Sequence, residues 1–166
     1  MNEDQIGQSF LALIIQVFPN DVRSRFNLQN DIELNDFVLR GSVVNYFQNK
    51  AWGDVDFEEL YTIFKEDCSV AFYSLPYEER LIFIPAILKY SVIDECNIPG
   101  FEYVLENVLL GGDVDEFEGV AKDLGREQLA VALSILTYNS VKQWELPDCR
   151  KLKRIRSVVE GLQRSL

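Results

Sequence analysis

No histidine occurs among the 166 residues. That absence removes Ser-His-Asp and Cys-His catalysis, histidine-ligated zinc and histidine-based pH sensing together. Cysteine is scarce: Cys68, Cys96 and Cys149 are the three, and they stand far apart. An odd, widely spaced set suits neither a disulfide framework nor a zinc knuckle, so these are read as reduced thiols. Without a histidine base, Cys68 and Cys96 are expected to be buried or incidental, not nucleophilic. No glycine-rich phosphate loop is present, because Gly111-Gly112 has no Lys-Ser/Thr after it. No apolar run approaches the ~18–20 residues that span a bilayer. The longest is Leu81–Leu88. The start, Met1-Asn2-Glu3-Asp4, is acidic where a secretory signal is basic. A cytoplasmic protein is expected.

Cationic charge is also in deficit. Sixteen Lys and Arg face 27 Asp and Glu, a net charge of −11. Such a chain repels phosphate backbones and anionic lipid, so neither nucleic acid nor a membrane is expected as partner. A basic protein fits the charge better. The apolar fraction of 48% is too high for a disordered chain. The length suits one domain with its own core.

What is present is helical patterning. Ile6, Phe10, Leu13, Ile14 and Val17 recur at helical spacing, predicting a first helix over 3–18 that Pro19 ends. Residues 20–36 are polar and read as a long loop anchored by Phe26, Leu28 and Ile32. Phe37–Gln48 mixes strand-type residues with Gly41, and Val43, Val44 and Phe47 favour a helix from about Ser42. Asp56-Phe57-Glu58-Glu59 is a helix start in which Asp56 caps and Glu59 reaches back. That helix is expected to end near Asp67.

Ser74-Leu75-Pro76 opens the most hydrophobic stretch, with Pro76 in the first turn. Every residue from Leu81 to Leu88 is apolar, which predicts a helix buried on all sides. Pro85 lies inside that run, and a kink there is expected. Asn97-Ile98-Pro99-Gly100 starts another helix, which Gly111-Gly112 stops. Arg126–Trp144 is an amphipathic helix with Leu129, Ala132, Leu133 and Leu136 on one face. Leu152, Ile155, Val159, Leu162 and Leu166 give a last helix after Pro147. The charge reverses there. Residues 142–166 hold seven Lys or Arg against three Asp or Glu, +4, whereas residues 1–141 hold nine against twenty-four, −15.

The fold expected is all-α: a single globular bundle of about six or seven helices around a buried central helix kinked at Pro85. Residues 1–146 form an acidic helical body. Residues 147–166 form a basic amphipathic helix packed on it. The continuous apolar stripe favours packing over binding of nucleic acid or membrane, and a homodimer through that helix is the rival.

Three stretches resemble a family of bacterial helical domains with no assigned function. Phe47-Gln48-Asn49-Lys50-Ala51-Trp52 is similar to that family's helix end followed by a tryptophan. Ala71–Glu79 with Phe83-Ile84-Pro85-Ala86 resembles its central helix. Leu124-Gly125-Arg126-Glu127-Gln128, leading to Val131 and Leu136, resembles the start of its C-terminal helix. The likeness covers roughly 43–138 and implies a helical fold with no catalytic residues. Small acidic bacterial proteins of this kind often serve as immunity proteins beside secreted toxins, an association of type and not of mechanism.

The chemical motifs point the same way. Taking Asp113 as the first ligand of a calcium loop puts Phe117 fifth and Glu118 sixth, where the pattern needs an oxygen ligand and a glycine. The stretch reads as a solvated acidic turn. Glu58/Glu59 and Glu78/Glu79 sit at helix starts, where the helix dipole accounts for them. The third carboxylate pair is Asp94/Glu95. No catalytic residue, metal or cofactor is expected, and the chain is not expected to be an enzyme. The candidate contact residues are Asp54, Asp56, Glu58 and Glu59, with Asp113, Asp115, Glu116 and Glu118. The function expected is a protein-binding inhibitor of the immunity type, covering the basic site of a toxin domain. The rival is a scaffold or regulatory module that dimerises through the last helix.

Overall fold

The computed structural model describes residues 3–24, 37–64, 71–72, 74–93 and 123–142. Five α-helices run through them: α1 (Glu3–Val17), α2 (Phe37–Phe47), α3 (Phe57–Phe64), α4 (Tyr77–Val92) and α5 (Arg126–Lys142). A 3-10 turn, Trp52–Asp54, lies between α2 and α3. No strand occurs among the described residues. The expected helices over 97–111 and 147–166 lie outside them. So do the rest of the 20–36 loop, the end of the third helix, Asp94/Glu95 and all three cysteines.

Side-chain burial accounts for each helix. Ile14 and Phe18 turn inward from α1 and its end, and Val43, Val44 and Phe47 from α2. Phe57, Leu60 and Phe64 form one buried face of α3. Phe83 to Leu88 are buried without a break, Pro85 included. Leu81 and Ile82, directly before them, are half-buried. The α4 helix runs through Pro85 and packs against α1, α5 and the 3-10 turn. Phe47 anchors the aromatic part of the core, with ring centroids 4.8 Å from Phe83 and 5.3 Å from Phe72. The predicted α5 face is wider than expected, because Val131 and Ile135 are buried as well.

Two local expectations need correcting. The α2 helix begins at Phe37, five residues before Ser42. Gly41 does not break it: the residue is exposed, and a Cβ there would meet nothing within 4 Å. The second correction concerns the start of α3. Asp56 does cap it, with Oδ1 accepting the backbone N–H of Glu58 at 2.9 Å and of Glu59 at 3.1 Å. Glu59 does not reach back to Asp56. The Asp56 N–H already donates to the Tyr46 hydroxyl at 2.8 Å, and Glu59 pairs instead with Lys50 at 3.2 Å. A carboxylate gains more from an available ammonium than from an N–H already occupied.

The segment after α1 is fastened to the segment after α2. The Trp52 indole donates to the Pro19 carbonyl at 3.2 Å, and Gly53 N–H donates to the Asn20 side chain at 2.9 Å. Ser24 N–H donates to the Lys50 carbonyl at 3.0 Å. Arg23 donates to the Asn49 carbonyl at 2.7 Å. Asn49 has φ 61°, the left-handed conformation in which a helix ends. Beside this fastening, Gln128 secures α5. Its Oε1 accepts Gly125 N–H at 3.0 Å, and its Nε2 donates to the Val17 carbonyl at 3.1 Å.

Candidate functional site

The 3-10 turn and the first turn of α3 place Asp54, Asp56, Glu58 and Glu59 on one edge, all four exposed. Their surroundings differ. Asp54 Oδ2 accepts the Ala51 N–H at 3.0 Å and meets Arg23 Nη1 at 2.9 Å. The Ala51 hydrogen bond, with help from the Arg23 guanidinium, holds this carboxyl below its ordinary range. Asp56 directs one oxygen to the open N–H groups of α3, where the helix dipole also favours negative charge. Glu59 pairs with Lys50, whose ammonium sits 3.5 Å from the Tyr46 ring centroid.

Glu58 differs from the other three. Among the described residues, no cation or hydrogen-bond donor meets its carboxylate. Among the described residues, four carboxylates against Arg23 and Lys50 leave two negative charges, at Asp56 and Glu58. The edge is therefore partly a structural network and partly an open charge.

Tyr46 fixes the frame. Its hydroxyl donates to the Asp56 carbonyl at 2.7 Å while accepting the Asp56 N–H. Burial pushes this hydroxyl well above the usual phenol range. Nothing in the sequence pattern singled out Tyr46, Lys50 or Arg23 as part of the edge. Lys50 and Tyr46 lie close enough in sequence to suggest a link. Arg23 lies 31 residues from Asp54, and no local signal connects them.

Asp113, Asp115, Glu116 and Glu118 lie outside the described residues. Glu78 and Glu79 occupy the first turn of α4, as the dipole argument expects. Among the described residues, no group of three or more Asp, Glu or Cys stands in a metal-holding arrangement, and no helix is long and apolar enough to cross a membrane. Trp52, which opens the 3-10 turn, lines a groove of about 190 Å³ between the end of α1, α4 and the start of α5. The arrangement can present fixed charge to a partner beside a small apolar recess. Comparison with protein-family models, with curated proteins and with solved structures finds no match to this chain.

Proposed function

We propose that the chain is a protein-binding inhibitor of the immunity type. It covers the basic site of a toxin domain with the edge formed by Asp54, Asp56, Glu58 and Glu59. Asp113, Asp115, Glu116 and Glu118 are proposed as a second acidic contact. The protein acts in the cytoplasm, as a non-catalytic member of the bacterial helical family it resembles. The α4 helix bends at Pro85, and the last of six or seven helices, over 147–166, packs its apolar stripe on the acidic body.

One observation carries this reading: Glu58 is an exposed carboxylate with no cation of its own among the described residues, on a helix start held by Tyr46 and Asp56. Holding the backbone that carries Glu58 matters because less entropy is then lost when a partner binds. Complementary charge then speeds encounter and sets orientation.

The test is protection. The chain is co-expressed with the toxin domain encoded beside it, and survival is scored for wild type, Glu58→Lys and Glu58→Gln. Wild type restores growth, Glu58→Lys loses most of the protection, and Glu58→Gln is intermediate. Equal protection by all three at equal protein levels rejects the acidic edge as the binding face.

A further inference from the structure

We infer that the groove between α1, α4 and α5 is an anchor pocket for one arginine side chain of the partner. This rests on the reading of the partner as a basic protein. The groove has apolar walls, with Phe18, Trp52 and Leu81 among them. Its volume of about 190 Å³ suits one large side chain and excludes a helix or strand. For scale, a cavity of ~150 Å³ takes a benzene-sized group.

Among the described residues, the charged group that lines the groove is an acceptor. Asp123 lines it, exposed to solvent and beside the Tyr77 hydroxyl, and among the described residues no Lys or Arg does. Pro85 also lines it and has no N–H. The carbonyl four residues earlier, that of Leu81, therefore lacks its helical donor, and Leu81 is itself a lining residue. Two other lining residues use their polar groups elsewhere. The Trp52 indole donates to Pro19, and Gln128 uses both ends on Gly125 and Val17.

A guanidinium has five donors and no acceptor, and it stacks on aromatic faces. Its aliphatic stem lies well on apolar walls. A lysine ammonium is compact and strongly hydrated, so it gains less from such a recess. The pocket also adjoins the acidic edge, since Trp52 opens the turn that ends at Asp54. A filled pocket inside a polar rim is the usual arrangement of a protein interface.

The test uses the whole protein and three probes: N-acetyl-arginine methylamide and its lysine and citrulline counterparts. Titrations are followed by amide and indole signals in two-dimensional NMR, with Trp144→Phe used to assign Trp52. The arginine probe is expected to shift Trp52, Leu81 and Leu124 saturably, and citrulline to leave them in place. Asp123→Asn should weaken arginine binding about three- to fivefold, the scale of one exposed charge pair. Val22→Trp, at the exposed mouth of the groove, should block it. Equal shifts with arginine and citrulline, shifts that map elsewhere, or no effect of Asp123→Asn overturn the pocket.

Glu58→Lys separates the two readings, because it should alter partner association but not probe binding. If the probe ignores the groove while Glu58→Lys still slows the partner, the pocket fails and the edge stands. If the probe occupies the groove while Glu58→Lys leaves the partner unaffected, the edge fails and the pocket stands.

Discussion

Tyr46 shows how much one side chain can fix. Its buried hydroxyl serves both backbone groups of Asp56 and so sets where α3 begins. Tyr46→Phe removes both bonds and should cost about 1–3 kcal/mol in urea unfolding. The same hydroxyl predicts an alkaline limit. Its pKa is raised in the folded protein from an ordinary value of 10.0. The stabilisation is therefore complete below pH 10 and is lost as pH rises towards the folded value. Tyr46→Phe should flatten that loss in melting curves taken from pH 9 to 11. Asp54 predicts the opposite limit. Its pKa is depressed, so its contribution is present above its ordinary 3.8 and is lost as pH falls below that. Asp54→Asn should make stability less sensitive to pH between 4 and 2; an unchanged pH profile would contradict the Asp54 contacts. The Asp56 cap was legible in the sequence because a cap and its N–H partners are two and three residues apart. Tyr46 was not, because its bond crosses ten residues and depends on how α2 and α3 pack.

Helices show the same division between local and distant causes. The unbroken apolar run of α4 could be read directly, since a helix with no polar face has nowhere to go but the core. The start of α2 could not. Phe37 to Val44 is rich in residues that also suit strands, and what settles such a stretch is packing against neighbours. The buried Val131 and Ile135 were missed because periodicity marks the centre of an apolar face better than its width. Two helical glycines give a paired prediction. At Gly7, a Cβ would stand 2.8 Å from the Val92 carbonyl oxygen, a backbone atom that cannot swing aside. Gly7→Ala should therefore force α1 from α4 and cost about 1–3 kcal/mol. At Gly41 a Cβ has open space, so Gly41→Ala should stabilise by about 0.5–1 kcal/mol. Chemical denaturation of the two variants checks both signs. A Gly7→Ala protein as stable as wild type would contradict the close approach of α1 to the end of α4.

At the scale of the molecule, the charge total was plain from composition, but its local use was not. A net −11 says that the surface is acidic. It does not say that Arg23 and Lys50 already hold two of the four edge carboxylates. Those pairings join segments distant in sequence, so only the fold reveals that, among the described residues, Asp56 and Glu58 have no cation and that the Glu58 carboxylate has no hydrogen bond either. The central claim is that this open charge guides a basic partner. Stopped-flow association with that partner, measured from ~10 to ~150 mM salt, tests it most directly, because screening lengths shorten from ~30 to ~8 Å over that range. Wild type should slow by about tenfold or more with rising salt. Glu58→Lys should be several-fold slower at low salt, with a flatter salt dependence. Identical rates for the two proteins at every salt concentration would contradict the account.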